Sequence, residues 1–114
     1  MKLYNDICAQ LSELVMWCDR HSINVWNSAG VSVSTHERLC KDFHNNILAY
    51  NVTGITGLQR LCLVTPFADF YIIISSDVAD NDVIVYSRDG LKYSYLECCV
   101  NEAIEKMILG GSND

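Results

Sequence analysis

Between Leu58 and Tyr86 the chain reads LQRLCLVT, PFAD, FYIIISS, DVADN and DVIVY. Apolar, β-branched and aromatic runs are separated by turn-forming residues, the local pattern of adjacent short strands. Side chains alternate faces along a strand. Leu61 and Leu63 therefore oppose Cys62 and Val64. Phe70, Ile72 and Ile74 oppose Tyr71 and Ile73, and Val83 and Val85 oppose Ile84 and Tyr86. All three runs are apolar on both sides, so a sheet built from them needs cover on both faces. The stretch predicts a three-stranded antiparallel meander at residues 58–87, and everything else in the chain must supply its cover.

Three amphipathic helices are available for that task. Over residues 3–20, Leu3, Ile7, Leu11, Leu14, Val15 and Cys18 recur at three- and four-residue intervals, with Tyr4, Cys8 and Trp17 widening the stripe. Over residues 35–50, Leu39, Phe43, Ile47 and Tyr50 repeat at helical spacing behind Ser34-Thr-His-Glu37, the spacing of a capping box. Over residues 95–109, Leu96, Val100, Ala103, Ile104, Met107 and Ile108 form a stripe behind a second box, Ser94-Tyr-Leu-Glu97. Residues 23–33 read as a minor hairpin: Ile23–Trp26 and Val31–Val33 alternate around an Asn27-Ser-Ala-Gly30 turn. Leu91-Lys-Tyr93 adds a short paired segment after the Arg88-Asp-Gly90 turn. Gly110-Gly111 closes the last helix and residues 110–114 form a frayed tail.

The expected fold is thus a single α+β domain over residues 1–114. At 114 residues there is no room for a second core. If two helices lie on one sheet face, the last helix must cover the other, or a second copy of the chain must; the sequence therefore raises homodimerisation. Asn5, Asp6 and Glu13 interrupt the N-terminus too early for the apolar region of a signal peptide, and no run reaches the length of a membrane span. A cytoplasmic protein without a membrane anchor is expected. Cys8, Cys18, Cys40, Cys62 and Cys99 sit among apolar residues of periodic segments, where thiols act as small hydrophobes; reduced cysteines are expected.

The net charge of −6 is uneven. Residues 1–68 carry five acids and five bases, whereas residues 69–114 carry nine acids against Arg88, Lys92 and Lys106. Such a field does not attract phosphate, so direct nucleic-acid binding is not expected. It suits a protein partner with a basic surface. Asp77, Asp80, Asp82 and Asp89 with Glu97, Glu102 and Glu105 are the candidate partner-binding acids, and Trp26, Tyr93 and Tyr95 the candidate aromatic anchors. In size and charge the chain resembles small acidic inhibitors of phages and mobile elements, immunity proteins and secretion chaperones. The likeness is compositional and implies inhibition by occluding a basic, nucleic-acid-binding surface.

The remaining chemistry is sparse. His36, Cys40 and His44 stand at four-residue steps on one helix, and Cys18 and His21 close the first helix; these five are the candidate metal ligands of an alternative, metal- or thiol-dependent reading. Their spacings match no standard zinc motif, and a core thiol between two surface histidines explains them as well. Cys98 and Cys99, in the first turns of the last helix, are candidate nucleophiles because a helix N-terminus lowers a thiol pKa. No base or oxyanion donor accompanies them, so no catalytic residue is assigned, and no cofactor is expected. The Asp77–Asp82 loop lacks the glycine and distal glutamate of a calcium loop.

Overall fold

The computed structural model describes residues 2–45, 51–52, 59–60 and 62–111. They form helix α1 (Lys2–Arg20), strand β1 (Val25–Val31), helix α2 (Val33–Asn45), strands β2 (Asn51–Val52), β3 (Gln59–Arg60), β4 (Cys62–Val64), β5 (Asp69–Ile74), β6 (Ile84–Ser87) and β7 (Lys92–Ser94), and helix α3 (Tyr95–Gly111). The architecture is α+β: a five-stranded mixed sheet with strand order β4-β5-β1-β6-β7, packed with three helices, plus a two-stranded β2–β3 ladder.

The predicted meander is present only in part. β4 and β5 pair antiparallel, Leu63 opposite Phe70, but β5 does not pair with β6. Between them lies β1, parallel to β5 and antiparallel to β6. The segment expected as a minor hairpin at 23–33 is therefore one continuous strand at the centre of the sheet. Asn27-Ser-Ala-Gly30 has turn composition, yet its small side chains are what a central strand needs here. A Cβ on Gly30 would stand 2.6 Å from Tyr86 Oη and 2.7 Å from Ile84 Cγ1. The neighbouring strand leans over the glycine, and only hydrogen leaves it room. A shift in register between Val25 and Ala29 absorbs the extra residues of β1 against β6.

α1 lies across the sheet, with Ile7, Leu11, Leu14 and Cys18 fully buried against Ala29, Val31, Leu63, Phe70, Val83 and Val85. The stripe read from its periodicity is the buried face. Ser22, at φ 58°, ends the helix, and the Ile23 amide donates back to the Cys18 carbonyl at 2.8 Å. α2 packs beside α1 through Leu39. Its cap is Ser32, not Ser34: the Ser32 Oγ accepts the Thr35 amide at 3.1 Å and donates to the Asp80 carboxylate at 2.7 Å. The side chain of Phe43, with Ile47 and Tyr50, lies outside the described residues, as do Leu58 and Leu61.

α3 departs furthest from expectation. It packs beside α1, on the same side of the sheet, through Cys98. Its predicted cap holds, the Glu97 amide donating to Ser94 Oγ at 3.1 Å, and the helix continues through Gly110 to Gly111 rather than ending before a tail. The stripe expected to cover the second sheet face points into solvent instead: Leu96, Val100, Ile104, Met107 and Ile108 are 48–77% exposed. On the far side of the sheet Val64, Tyr71 and Ile73 are likewise about half exposed, while Cys62 and Ile84 on that side are buried. No described helix is long and apolar enough to cross a membrane.

Candidate functional site

The register of the sheet defines the side turned away from the helices. Ala29 and Val31 face the helices, which turns Ser28 and Gly30 the other way, beside Tyr71 and Ile73 of β5. Val64 and Asp69 continue that face across β4, and Ile84, Tyr86 and Lys92 across β6 and β7. Trp26 follows core-facing Val25 and so turns outward as well. Trp26, Tyr71 and Ile73 are 49%, 44% and 42% exposed, an unusual grouping on the middle of a sheet.

Charged groups frame it. The Arg88 guanidinium sits 4.2 Å from the centre of the Trp26 ring, a cation–π contact that holds the indole in place. Lys92 Nζ pairs with Asp77 at 2.9 Å and stands 6.0 Å from the Tyr86 ring. The hydrogen bond and charge of Lys92 hold the Asp77 carboxyl below its usual range and raise the Lys92 ammonium in return. Asp89 is exposed beside Arg88.

The other candidate acids are placed differently. Asp82 is 4% exposed, its Oδ1 accepting the Val83 amide at 2.8 Å and the Leu96 amide at 3.3 Å; it caps α3 and presents nothing to solvent. Asp80 receives the Ser32 hydroxyl. Glu102 pairs with Arg20, and Glu105 lies 3.6 Å from His21 Nε2, so both tie α3 to the end of α1. Glu97 is exposed at the start of α3. Of the aromatics, Tyr93 is packed against the core 5.9 Å from Trp17, and Tyr95 donates its hydroxyl to Glu13 at 2.8 Å. The seven acids thus do not form one face. The anchors missed by sequence reasoning, Tyr71 and Ile73, carry the same alternating pattern as any doubly buried strand; nothing in their run marks them as exposed.

The thiols and histidines separate likewise. Cys18 is in the core, and His21 stacks on Trp17 at 4.0 Å with its Nδ1 2.7 Å from the Trp17 carbonyl. His36 Nδ1 and Cys40 Sγ are 3.7 Å apart on α2; the His44 side chain lies outside the described residues. Among the described residues, no three His, Cys, Asp or Glu side chains group closely enough to hold a metal ion. All six cysteines are free. Burial, with smaller contributions from Cys18, Glu97 and Cys99, pushes the Cys98 thiol up to about 12, the opposite of an activated nucleophile. Cys99 lines a cleft of about 300 Å³ between α1 and α3 with Glu13, Trp17, Arg20, Tyr95 and Glu102. There the Tyr95 hydroxyl is hydrogen-bonded to both Cys99 and Glu13, which holds the phenol protonated. Arg20 and Glu102 pair with each other and join the two helices, while the buried Trp17 Nε1 has no hydrogen-bond partner among the described residues.

No protein-family model matches the chain. No curated protein and no solved structure matches it either.

Proposed function

We propose that the protein is a non-catalytic protein-binding module in which the partly exposed sheet face turned away from the helices docks on a basic surface of its partner. The observation that carries this reading is the cluster of half-exposed Trp26, Tyr71 and Ile73 on the middle of that face. Large aromatic and apolar side chains on a rigid platform, framed by charge, are what the energetic centre of a protein interface requires. The acidic contribution comes from the rim: Asp69 on the face, Asp77 and Asp89 at its borders, and the overall charge of −6, which steers encounter with a cationic surface. Occlusion of a nucleic-acid-binding surface, the mode of small acidic inhibitors, is the concrete form of the proposal.

The experiment is affinity purification of the full chain from its native host, with mass spectrometry, followed by affinity measurement against the recovered partner. Trp26→Ala combined with Tyr71→Ala is expected to weaken binding by about 100-fold or more, as for two central anchors. Reversing Asp69, Asp77 and Asp89 to lysine is expected to slow association and flatten its salt dependence. An unchanged affinity in the aromatic variant removes the sheet face from the interface. Unchanged association in the charge-reversed variant removes the electrostatic part alone.

A further inference from the structure

A second exposed apolar surface lies on α3, away from the sheet face. Its spacing is informative: Leu96, Val100, Ala103 and Met107 stand four, three and four residues apart, the alternation of a helix–helix seam, and Ile104 and Ile108 broaden it. The opposite face of α3, with Cys98, Glu102 and Tyr95, is turned to α1. Past Glu105, which still reaches His21, the remaining residues 106–109 are all exposed. Among the described residues nothing therefore obstructs a partner helix along the outer half of the seam.

We infer that α3 is a dimerisation helix, seated antiparallel on α3 of a second copy of this chain. Two properties select a second copy. The first is area. Leu96, Val100, Ile104, Met107 and Ile108 are 52%, 58%, 48%, 77% and 69% exposed. Together they leave on the order of 600 Å² open, at the top of the range for the largest patch on a monomer and close to the ~800 Å² that one partner gives a standard interface. Flanking residues of the same helix supply the remainder. The second is charge. In a protein carrying −6, the seam holds a single ionisable side chain, Glu97 at its edge. It offers no electrostatic cue to a basic partner and little repulsion to its own copy.

The antiparallel seating is self-consistent. With a two-fold axis near Glu102, Leu96 lies against Met107 of the second copy and Val100 against Ala103, whose small side chain lets the helices approach. The two Glu97 carboxylates then fall nine residues apart in level, about 13 Å along the helix axis and beyond a Debye length at physiological salt. A parallel pair would place them at the same level. The exposed apolar stripe, a liability in a monomer, becomes the dimer core.

Sedimentation velocity of the full chain from about 1 to 100 μM tests this, since a dimer's population follows concentration. A species of twice the 12.8 kDa chain mass is expected. Val100→Glu with Ile104→Glu is expected to raise the dissociation constant at least about 100-fold, two buried charges in an apolar seam costing more than that. Circular dichroism should be unchanged, because both positions are about half exposed in the single chain. Met107→Lys, at 77% exposure, serves as a second variant if the first does not fold. Trp26→Ala with Tyr71→Ala should leave the dimer intact. A monomer throughout the range, a dimer that survives the folded α3 variants, or dissociation by the sheet-face variant instead overturns the inference. None of these outcomes depends on the heterologous partner.

Discussion

At Gly30 a single missing carbon decides where a strand can lie. Ile84 and Tyr86 lean across the glycine, leaving less than ordinary van der Waals distance for a Cβ. Gly30→Ala is expected to destabilise the fold by about 1–3 kcal/mol, the usual cost of forcing atoms into a packed position. Urea unfolding followed by tryptophan fluorescence measures it; a midpoint equal to wild type would mean that Tyr86 simply swings outward. The same residue explains why β1 is hard to read. Asn27, Ser28 and Gly30 are poor strand formers by propensity, and their value lies in what packs over them. The Ser32 and Ser34 ambiguity is of the same kind: two serines stand near one helix start, and Asp80, 48 residues away in sequence, favours Ser32.

Among the elements, α3 is held at its start more firmly than along its length. Asp82 arrives from the connection between β5 and β6 and accepts two amides, one of them from the first turn of the helix. Its negative charge also suits the positive end of the helix dipole. Asp82→Ala leaves both amides without that acceptor in a site that is nearly fully buried, at a cost of about 2–3 kcal/mol. Asp82→Asn keeps the accepting oxygen and is expected to lose less than half as much. Hydrogen exchange at the Leu96 amide distinguishes a local effect from global loss, since protection there should fall first. α1 shows the opposite arrangement, with stability spread along a stripe that periodicity alone identifies. α3 has an equally clear stripe, but periodicity states only that a face is apolar, not which partner it meets.

For the whole molecule, alkaline pH is the sharpest probe. Burial pushes Cys18 up to about 11 and Cys98 to about 12, both from an ordinary 9.0. Each folded-state pKa exceeds its unfolded value, so the folded chain holds protons that the unfolded chain has lost. The stabilisation is complete below pH ~9 and is lost as pH rises through 9–11 for Cys18 and 9–12 for Cys98. Buried Tyr4, also raised above its ordinary value, adds to the loss above pH 10.0. Thermal unfolding between pH 8 and 11 should show a falling midpoint, and the Cys98→Ser variant a shallower fall. A flat profile would place both thiols in contact with solvent.

The helical stripes, the α3 cap, the short strands and the charge asymmetry follow from the sequence by itself, because each depends on residues within a few positions of one another. Tertiary structure alone decided that β1 separates β5 from β6, that α3 joins α1 on the helical side, and that Asp82 is a cap rather than a surface acid. Those outcomes rest on contacts between distant residues: Gly30 beneath Tyr86, Cys98 beside Cys18, Asp82 with Leu96. Apolar pattern specifies that a surface is to be covered. Which surface covers it depends on the free energy of the assembled packing, and among the described residues the α3 stripe and part of the far sheet face stay exposed.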